Sequence, residues 1–249
     1  MNADLRTDRL DLGHIQVSKG TTSDFIARIS AGIAANAHQY CVPLNLTKYV
    51  MAKTDAKLSK ALRESNYVVA DGKSIELLAR RMGDKEVNRL PGIDLAEALL
   101  EQSKANGWRL FFLGTKPENL EKAVASIKER YGDPIIAGSQ NGYFKAEEVD
   151  SVIDKINAAK PDILFLGLGL PQKEYFIVDH YDKLDVRFCI TVGGAIDIWA
   201  GVKNRAPGWV QKLGIEWLYR SLYDLSRAGL VFGRSLNFLK DLISPPKPH

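Results

Sequence analysis

Two cysteines in 249 residues, Cys41 and Cys189, are too few for a disulfide framework and make no zinc site on their own. Both lie in apolar, strand-like runs, which predicts buried, reduced thiols. No stretch reaches the roughly 18–20 apolar residues that a membrane-spanning helix requires. The opening MNADLRTDRLDLG has no basic head followed by an apolar run, so no secretory leader is expected and a cytoplasmic location is. His14, His38 and His180 are not spaced as metal ligands, and no Asp-x-Asp pair is present to grip a divalent cation against a diphosphate. A P-loop and a GxGxxG dinucleotide turn are also missing. The sequence shows no internal repeat and no low-complexity region.

What is there has ordinary globular proportions, 45% hydrophobic and 26% charged. The charge is unevenly placed. From Lys203 onward eight Lys/Arg face three acids, a balance of +5 in a chain whose formal total is only +4. A basic final fifth on a near-neutral body points to an anionic partner for that tail. Nucleic acid is not the expected one, because the body lacks a broad basic face.

Strand-like runs alternate with amphipathic segments. The expected strands are QYCVPLN (39–45), YVVAD (67–71), WRLFFLG (108–114), DPIIAG (133–138), PDILFLGLG (161–169) and RFCITVGG (187–194). Several are apolar throughout, as strands covered on both faces are. Helical patterns fill 22–37, with Ser23 as a candidate N-cap, and 92–107, 116–132 and 145–160. This alternation predicts an α/β fold, a doubly wound, mainly parallel, Rossmann-like sheet. After residue 200 strands stop and helical segments follow one another. The reading is a core over 1–202 and a basic C-terminal helical appendage over 203–249.

Ligands of open α/β sheets bind outside the carboxyl ends of the strands. Standing there are Asn45 and Thr47, then Asp71, then Gly114-Thr115-Lys116, Gln172-Lys173, and Gly193-Gly194. Glycines at such turns let a backbone approach a phosphate. Taken alone each turn is as readily a plain strand-to-helix connection; three together favour a nucleotide or another phosphorylated ligand. Asp71 can be a general base, or Asp71 or Ser74 can simply cap the helix that follows. Arg89 alone reads as a surface charge. Without a divalent cation, phosphate chemistry needs Arg, Lys and backbone N–H groups.

Several of these pieces occur in one order: ADGKS (70–74), RLPGIDL (89–95), FFLGTKP (111–117), NGYF (141–144), GLGLPQKE (167–174), GGAIDIWAG (193–201) and RAPGWVQKLGIEWLYR (205–220). Together they resemble the WecG/TagA/CpsF family of bacterial glycosyltransferases, over about Asn45 to Arg220. The resemblance implies an inverting, metal-independent enzyme with no cofactor. It would move a sugar from a UDP-sugar to a saccharide on undecaprenyl diphosphate, for teichoic acid, common antigen, capsule or exopolysaccharide. Asp71 falls at the family's proposed catalytic base, and Arg89 and Asn45 at residues near the active site. Gln172 and Lys173 fall in a motif linked to the donor. There the family often has Pro-Lys-Gln-Glu where this chain has Pro171-Gln172-Lys173-Glu174, and Pro43 stands where the family often has Thr.

The resemblance also links the appendage to attachment at the anionic inner face of the membrane. Arg220, Arg227 and Arg234 recur every seven residues, which aligns them on one face of a continuous helix. Trp209, Trp217, Tyr219, Tyr223, Phe232 and Phe238 supply amphipathic and apolar surface nearby, and Gly229 and Gly233 interrupt the pattern. Arg205, Arg220 and Arg227 are expected at the diphosphate of donor or carrier, or at the membrane surface. An oligomeric contact is the other use of the same apolar residues. Two other readings compete. A nucleotide-dependent oxidoreductase needs a GxGxxG turn after the first strand, where this chain has LNLTKY. A non-catalytic nucleotide-binding or membrane-associated scaffold has no use for Asp71, Arg89 and Asn45 together.

Overall fold

A computed structural model of the chain describes residues 8–132, 135–208, 210 and 238–246. Along it run β1 (Arg9–Asp11), β2 (Gln16–Ser18), α1 (Thr22–Ala34), β3 (Gln39–Cys41), α2 (Leu46–Met51), α3 (Ala56–Glu64) and α4 (Lys73–Arg81). Then follow α5 (Gly92–Asn106), β4 (Leu110–Gly114), α6 (Pro117–Tyr131), β5 (Ile136–Gln140) and α7 (Val149–Ala159). The order ends with β6 (Ile163–Gly167), α8 (Gln172–His180), β7 (Phe188–Thr191) and α9 (Ala195–Trp199), with a short helical stretch at 238–243. The residues form two compact units. One takes 1–21, 43–91 and 205–249, the other 22–42 and 92–204.

The second unit is built on a five-stranded parallel sheet in the order β3-β7-β6-β4-β5. The α/β class and the parallel, Rossmann-like sheet are as the sequence predicts. All residues of β3, β4 and β7 are buried, which is why β4 and most of β7 read as apolar runs. β5 lies at the sheet edge and is only half-buried, so it tolerates Ser139 and Gln140. It therefore sits later than the apolar run at 133–138 suggests. α1 likewise begins at Thr22, which puts Ser23 inside its first turn and not at the cap.

The path through the sheet reverses beside β4. From β4 the chain steps out to β5, then returns to the other side of β4 for β6, and continues outward to β7. The β4–β6 pair runs in register from Leu110↔Ile163 to Gly114↔Gly167. Phe112 and Phe165 stack at 5.2 Å between centroids, and Trp199 of α9 meets both edge-on at 6.0 and 5.7 Å. These three buried rings fix α9 against the two strands on either side of the reversal.

The first unit is different from expectation. YVVAD (67–71) is not a strand of the sheet. Leu44, Ala70 and Arg89 form single parallel bridges, Leu44 to Ala70 and Ala70 to Arg89. The expected strand at 39–45 is therefore split. β3 stops at Cys41, and the chain passes Pro43, which has no N–H to donate to a ladder. The N-terminal residues, which carried no strand expectation, form an antiparallel hairpin with Arg9 opposite Ser18 and Asp11 opposite Gln16. Leu10, Leu12, Ile15 and Val17 around Gly13 are the alternating pattern that signals it. Both cysteines are buried thiols and form no disulfide.

Gly114 ends β4 at φ 141°, and a Cβ built there would lie 2.4 Å from the backbone carbonyl of Gly167. No side chain fits, and no L-residue favours that φ. Gly114→Ala is expected to destabilise the fold by about 3 kcal/mol in chemical denaturation. A loss below about 0.5 kcal/mol would show that β4 and β6 separate here without penalty.

Candidate active site

In the first unit the two bridges bring Asn45, Asp71 and Arg89 onto neighbouring segments. Asn45 and Asp71 each follow a bridging residue, and Arg89 is itself one. The backbone is tied at each point: the Leu44 N–H donates to the Val69 carbonyl at 2.8 Å, Asp71 N–H to Leu44 at 2.9 Å and Leu90 N–H to Ala70 at 2.8 Å. All three side chains are half-buried. Asn45 also caps α2, its Oδ1 accepting from the Lys48 N–H at 3.0 Å. That use of the oxygen leaves the amide NH₂ as Asn45's donor for a ligand. Thr47 stands half-buried in the first turn of the same helix. Beneath it the buried Lys48 ammonium donates to the Pro43 carbonyl at 2.8 Å, stiffening the turn on which Asn45 sits.

Asp71 is not a helix cap, and neither is Ser74. α4 starts at Lys73 with Gly72 in the cap position. The carboxylate thus stands between the end of a bridge and the start of a helix. α4 itself is held by Glu76, whose carboxylate is buried under Lys73 at 2.6 Å and Arg80 at 2.8 Å. Burial pushes the Glu76 pKa up, and its two cations outweigh that and leave it below the usual range. A cleft of about 610 Å³ opens elsewhere in this unit, lined by His14, Gln16, Lys53 and Arg63 among others. It contains none of Asn45, Asp71 or Arg89.

In the second unit a polar cluster stands where β4 and β7 end. Thr115 follows Gly114 at φ 53°, a left-handed conformation that a β-branched residue rarely adopts. Its hydroxyl donates to Asp197 Oδ1. Asn119, one turn into α6, donates to the same oxygen at 3.1 Å. Lys203 pairs with Asp197 Oδ2. Burial pushes the Asp197 pKa up, and the bonds from Lys203, Thr115 and Asn119 outweigh it and hold the carboxyl below its ordinary value. The Thr115 carbonyl in turn accepts from the Gly142 N–H at 2.9 Å, which seats the NGYF turn over the end of β4 and leaves Tyr143 70% exposed beside it.

The remaining expected residues fall as follows. Lys116 is exposed at the N-cap of α6, and Gly193 and Gly194 form the turn before α9, with nothing within 4 Å of a Cβ at Gly193. Gln172 is exposed at the start of α8, its amide within reach of the Gly169 and Leu170 carbonyls. Lys173 is turned inward, buried with its ammonium 3.5 Å from Glu174. Arg205 is half-buried. Arg220, Arg227 and Arg234 lie outside the described residues. Asp197 and Asn119 were not picked out by sequence reasoning. GGAIDIWAG carries Asp197 in plain view, but only the fold shows that it faces Thr115. Among the described residues no group of three or more His, Cys, Asp or Glu could hold a metal ion, and no helix is long and apolar enough to cross a membrane.

The depressed Asp197 pKa has a consequence for acid stability. A carboxylate whose folded pKa is lowered contributes stability that is fully present above its unfolded value, near 3.8, and is lost as pH falls through the folded value. Thermal melts from about pH 5 down to about pH 2.5 should show a steeper fall for the natural chain than for Asp197→Asn. Parallel curves would mean that the three donors do not favour the ionised form.

The sequence model of the Glycosyl transferase WecG/TagA/CpsF family matches residues 10–243. The chain is also similar to N-acetylglucosaminyldiphosphoundecaprenol N-acetyl-beta-D-mannosaminyltransferase of Staphylococcus aureus strain NCTC 8325 / PS 47. The two are 33% identical over 178 residues, covering 72% of this chain and 69% of the relative. The protein of the same description from strain MRSA252 gives the same identity and coverage. The family match takes in both the Leu44–Ala70–Arg89 bridges and the sheet with its Thr115–Asp197 cluster, and this chain belongs to the WecG/TagA/CpsF family of glycosyl transferases.

Proposed function

We propose that this chain moves a sugar from a UDP-sugar to a saccharide linked through a diphosphate to a polyprenyl lipid. The observation that carries the proposal is the juxtaposition of Asn45, Asp71 and Arg89 on three adjoining parallel segments, within a family of glycosyl transferases. The relatives' name gives an N-acetylmannosaminyl donor group and an N-acetylglucosaminyl-diphosphoundecaprenol acceptor. UDP-N-acetylmannosamine is accordingly the first donor to test, and a hexosyl or other N-acetylhexosaminyl group the next.

The step is a single displacement. The acceptor hydroxyl oxygen forms a bond to the sugar's C1 as the bond from C1 to the diphosphate oxygen breaks. UDP leaves with the electron pair, Asp71 takes the hydroxyl proton, and the configuration at C1 inverts. One carboxylate suffices because the diphosphate is already a good leaving anion. What needs help is its growing charge, which Arg89, lysine ammonium groups and N–H donors of the turns are suited to meet. The Asn45 amide, fixed by its capping bond, offers NH₂ to a sugar or acceptor oxygen. In the second unit, the reversal beside β4 is where open α/β sheets bind nucleotides. The exposed ring of Tyr143 there offers a flat face to a base.

A lipid-linked acceptor must be met at a bilayer. The described end of the appendage supports a peripheral contact at an anionic membrane face. Phe238 is buried edge-on against Tyr49 at 5.7 Å, and Asp241 pairs with Lys53, which anchors 238–243 to the first unit. Leu239 and Ile243, four residues apart on that helical stretch, are 46% and 73% exposed. Apolar residues held outward beside a basic segment suit an interfacial contact.

Asp71→Asn is expected to lower turnover by roughly 10²–10⁴-fold, measured as UDP release with lipid acceptor, while UDP still binds. Turnover within about twofold of the natural chain would remove Asp71 as the base.

A further inference from the structure

We propose that Lys203 meets the diphosphate of the nucleotide-sugar donor, and that Asp197, braced by Thr115 and Asn119, is the positioning residue that holds the Lys203 ammonium for it. The assignment rests on the donor reading given above. Neither residue stood among the expected substrate contacts.

The position is the first argument. Lys203 follows α9 through the left-handed Gly201, at φ 69°, and the Val202 and Lys203 N–H groups both donate to the Asp197 carbonyl at 3.1 Å. The chain is thereby folded back so that the Lys203 side chain lies over the turn after β7. Its Cδ is 3.9 Å from where a Cβ on Gly194 would stand, and the space above Gly193 is open. The ammonium reaches Asp197, which Thr115 ties to the end of β4. The cation therefore stands at the carboxyl edge of the sheet, beside the reversal in strand order.

Valence favours the same role. An ammonium has three N–H donors, and Asp197 occupies one. Lys203 is 62% exposed, so the others face solvent and can exchange water for phosphate oxygens. Asp197 is only 14% exposed and already accepts from Thr115 and Asn119 as well. Oδ1 takes the Thr115 and Asn119 donors, and Oδ2 holds the cation.

The ion pair is also more heavily built than its exposure requires. A surface ion pair contributes about 0–1 kcal/mol and needs no supporting frame. Here the carboxylate has two further donors, one of them a threonine kept in a backbone conformation that disfavours it. Strain of that kind collects where geometry serves a ligand. α6 begins beside Thr115 with no side chain capping it, so its N-terminal dipole adds positive potential on the same side. Lys173, a lysine expected near the donor, is buried against Glu174.

The test separates phosphate recognition from folding. Affinities of the full chain for UDP, UMP and uridine are measured by NMR titration for the natural chain, Lys203→Met and Lys203→Arg. Loss of a charge-assisted hydrogen bond should weaken UDP binding by about tenfold to a hundredfold in Lys203→Met. Uridine binding should not change, and Lys203→Arg should recover most of the loss. Equal weakening of UDP and uridine would mark Lys203 as a structural tie and overturn the assignment. So would UDP binding to Lys203→Met as tightly as to the natural chain. Failure of the natural chain to bind UDP at all would instead overturn the donor reading, and this assignment with it.

Discussion

Parallel pairing makes each segment leave its neighbours at a shared edge, where its last residues turn into a loop or a helix. In this chain the residues with a candidate chemical role stand at such edges. Asn45 and Asp71 follow the bridges of the first unit, and Thr115 and Gly194 follow β4 and β7 of the second. The interior that makes this possible is apolar. β4 and β6 bury Phe112 and Phe165 face to face, and Trp199 locks α9 across them. Beyond the ends of the pairing, polar groups are bonded: Asp197 by three donors, Asn45 through its cap.

The two clusters differ in the chemistry they offer. One offers a half-buried carboxylate, an arginine and an amide NH₂, which suits proton removal and orientation of hydroxyls. The other offers a braced carboxylate, a solvent-facing ammonium and glycine turns, which suits a charged, phosphorylated ligand. Electrostatics in the second cluster depends on a balance: burial alone would favour a neutral Asp197, and its donors reverse that.

Much of the fold was legible because parallel strands covered on both faces read as apolar runs. β4, β6 and β7 fall inside the runs that announced them. The misreadings have local causes. YVVAD looks like a central strand because Tyr67, Val68, Val69 and Ala70 are all buried, yet they are buried by the bridges to Leu44 and Arg89 and not by the sheet. β5 was displaced because an edge strand can carry polar residues. Asn45, Asp71 and Arg89 are separated by 44 residues from first to last, and only pairing brings them together. No periodicity encodes that, and a family resemblance pointed to it. Asp197 escaped because its hydrogen-bond partners Thr115 and Asn119 lie some 80 residues away in sequence. Lys173, at the start of α8, is buried beside Glu174, which nothing in the local sequence signals.

The most direct measurement is transfer of labelled N-acetylmannosamine from its UDP conjugate to a polyprenyl-diphosphate-linked N-acetylglucosamine presented in liposomes. The account predicts lipid-extractable label, UDP released in equal amount, and a product whose new linkage has the configuration opposite to the donor's. Lipid-linked product with retained configuration would contradict the single displacement. Absence of lipid-linked label from every UDP-hexose and UDP-N-acetylhexosamine tried would contradict the account as a whole.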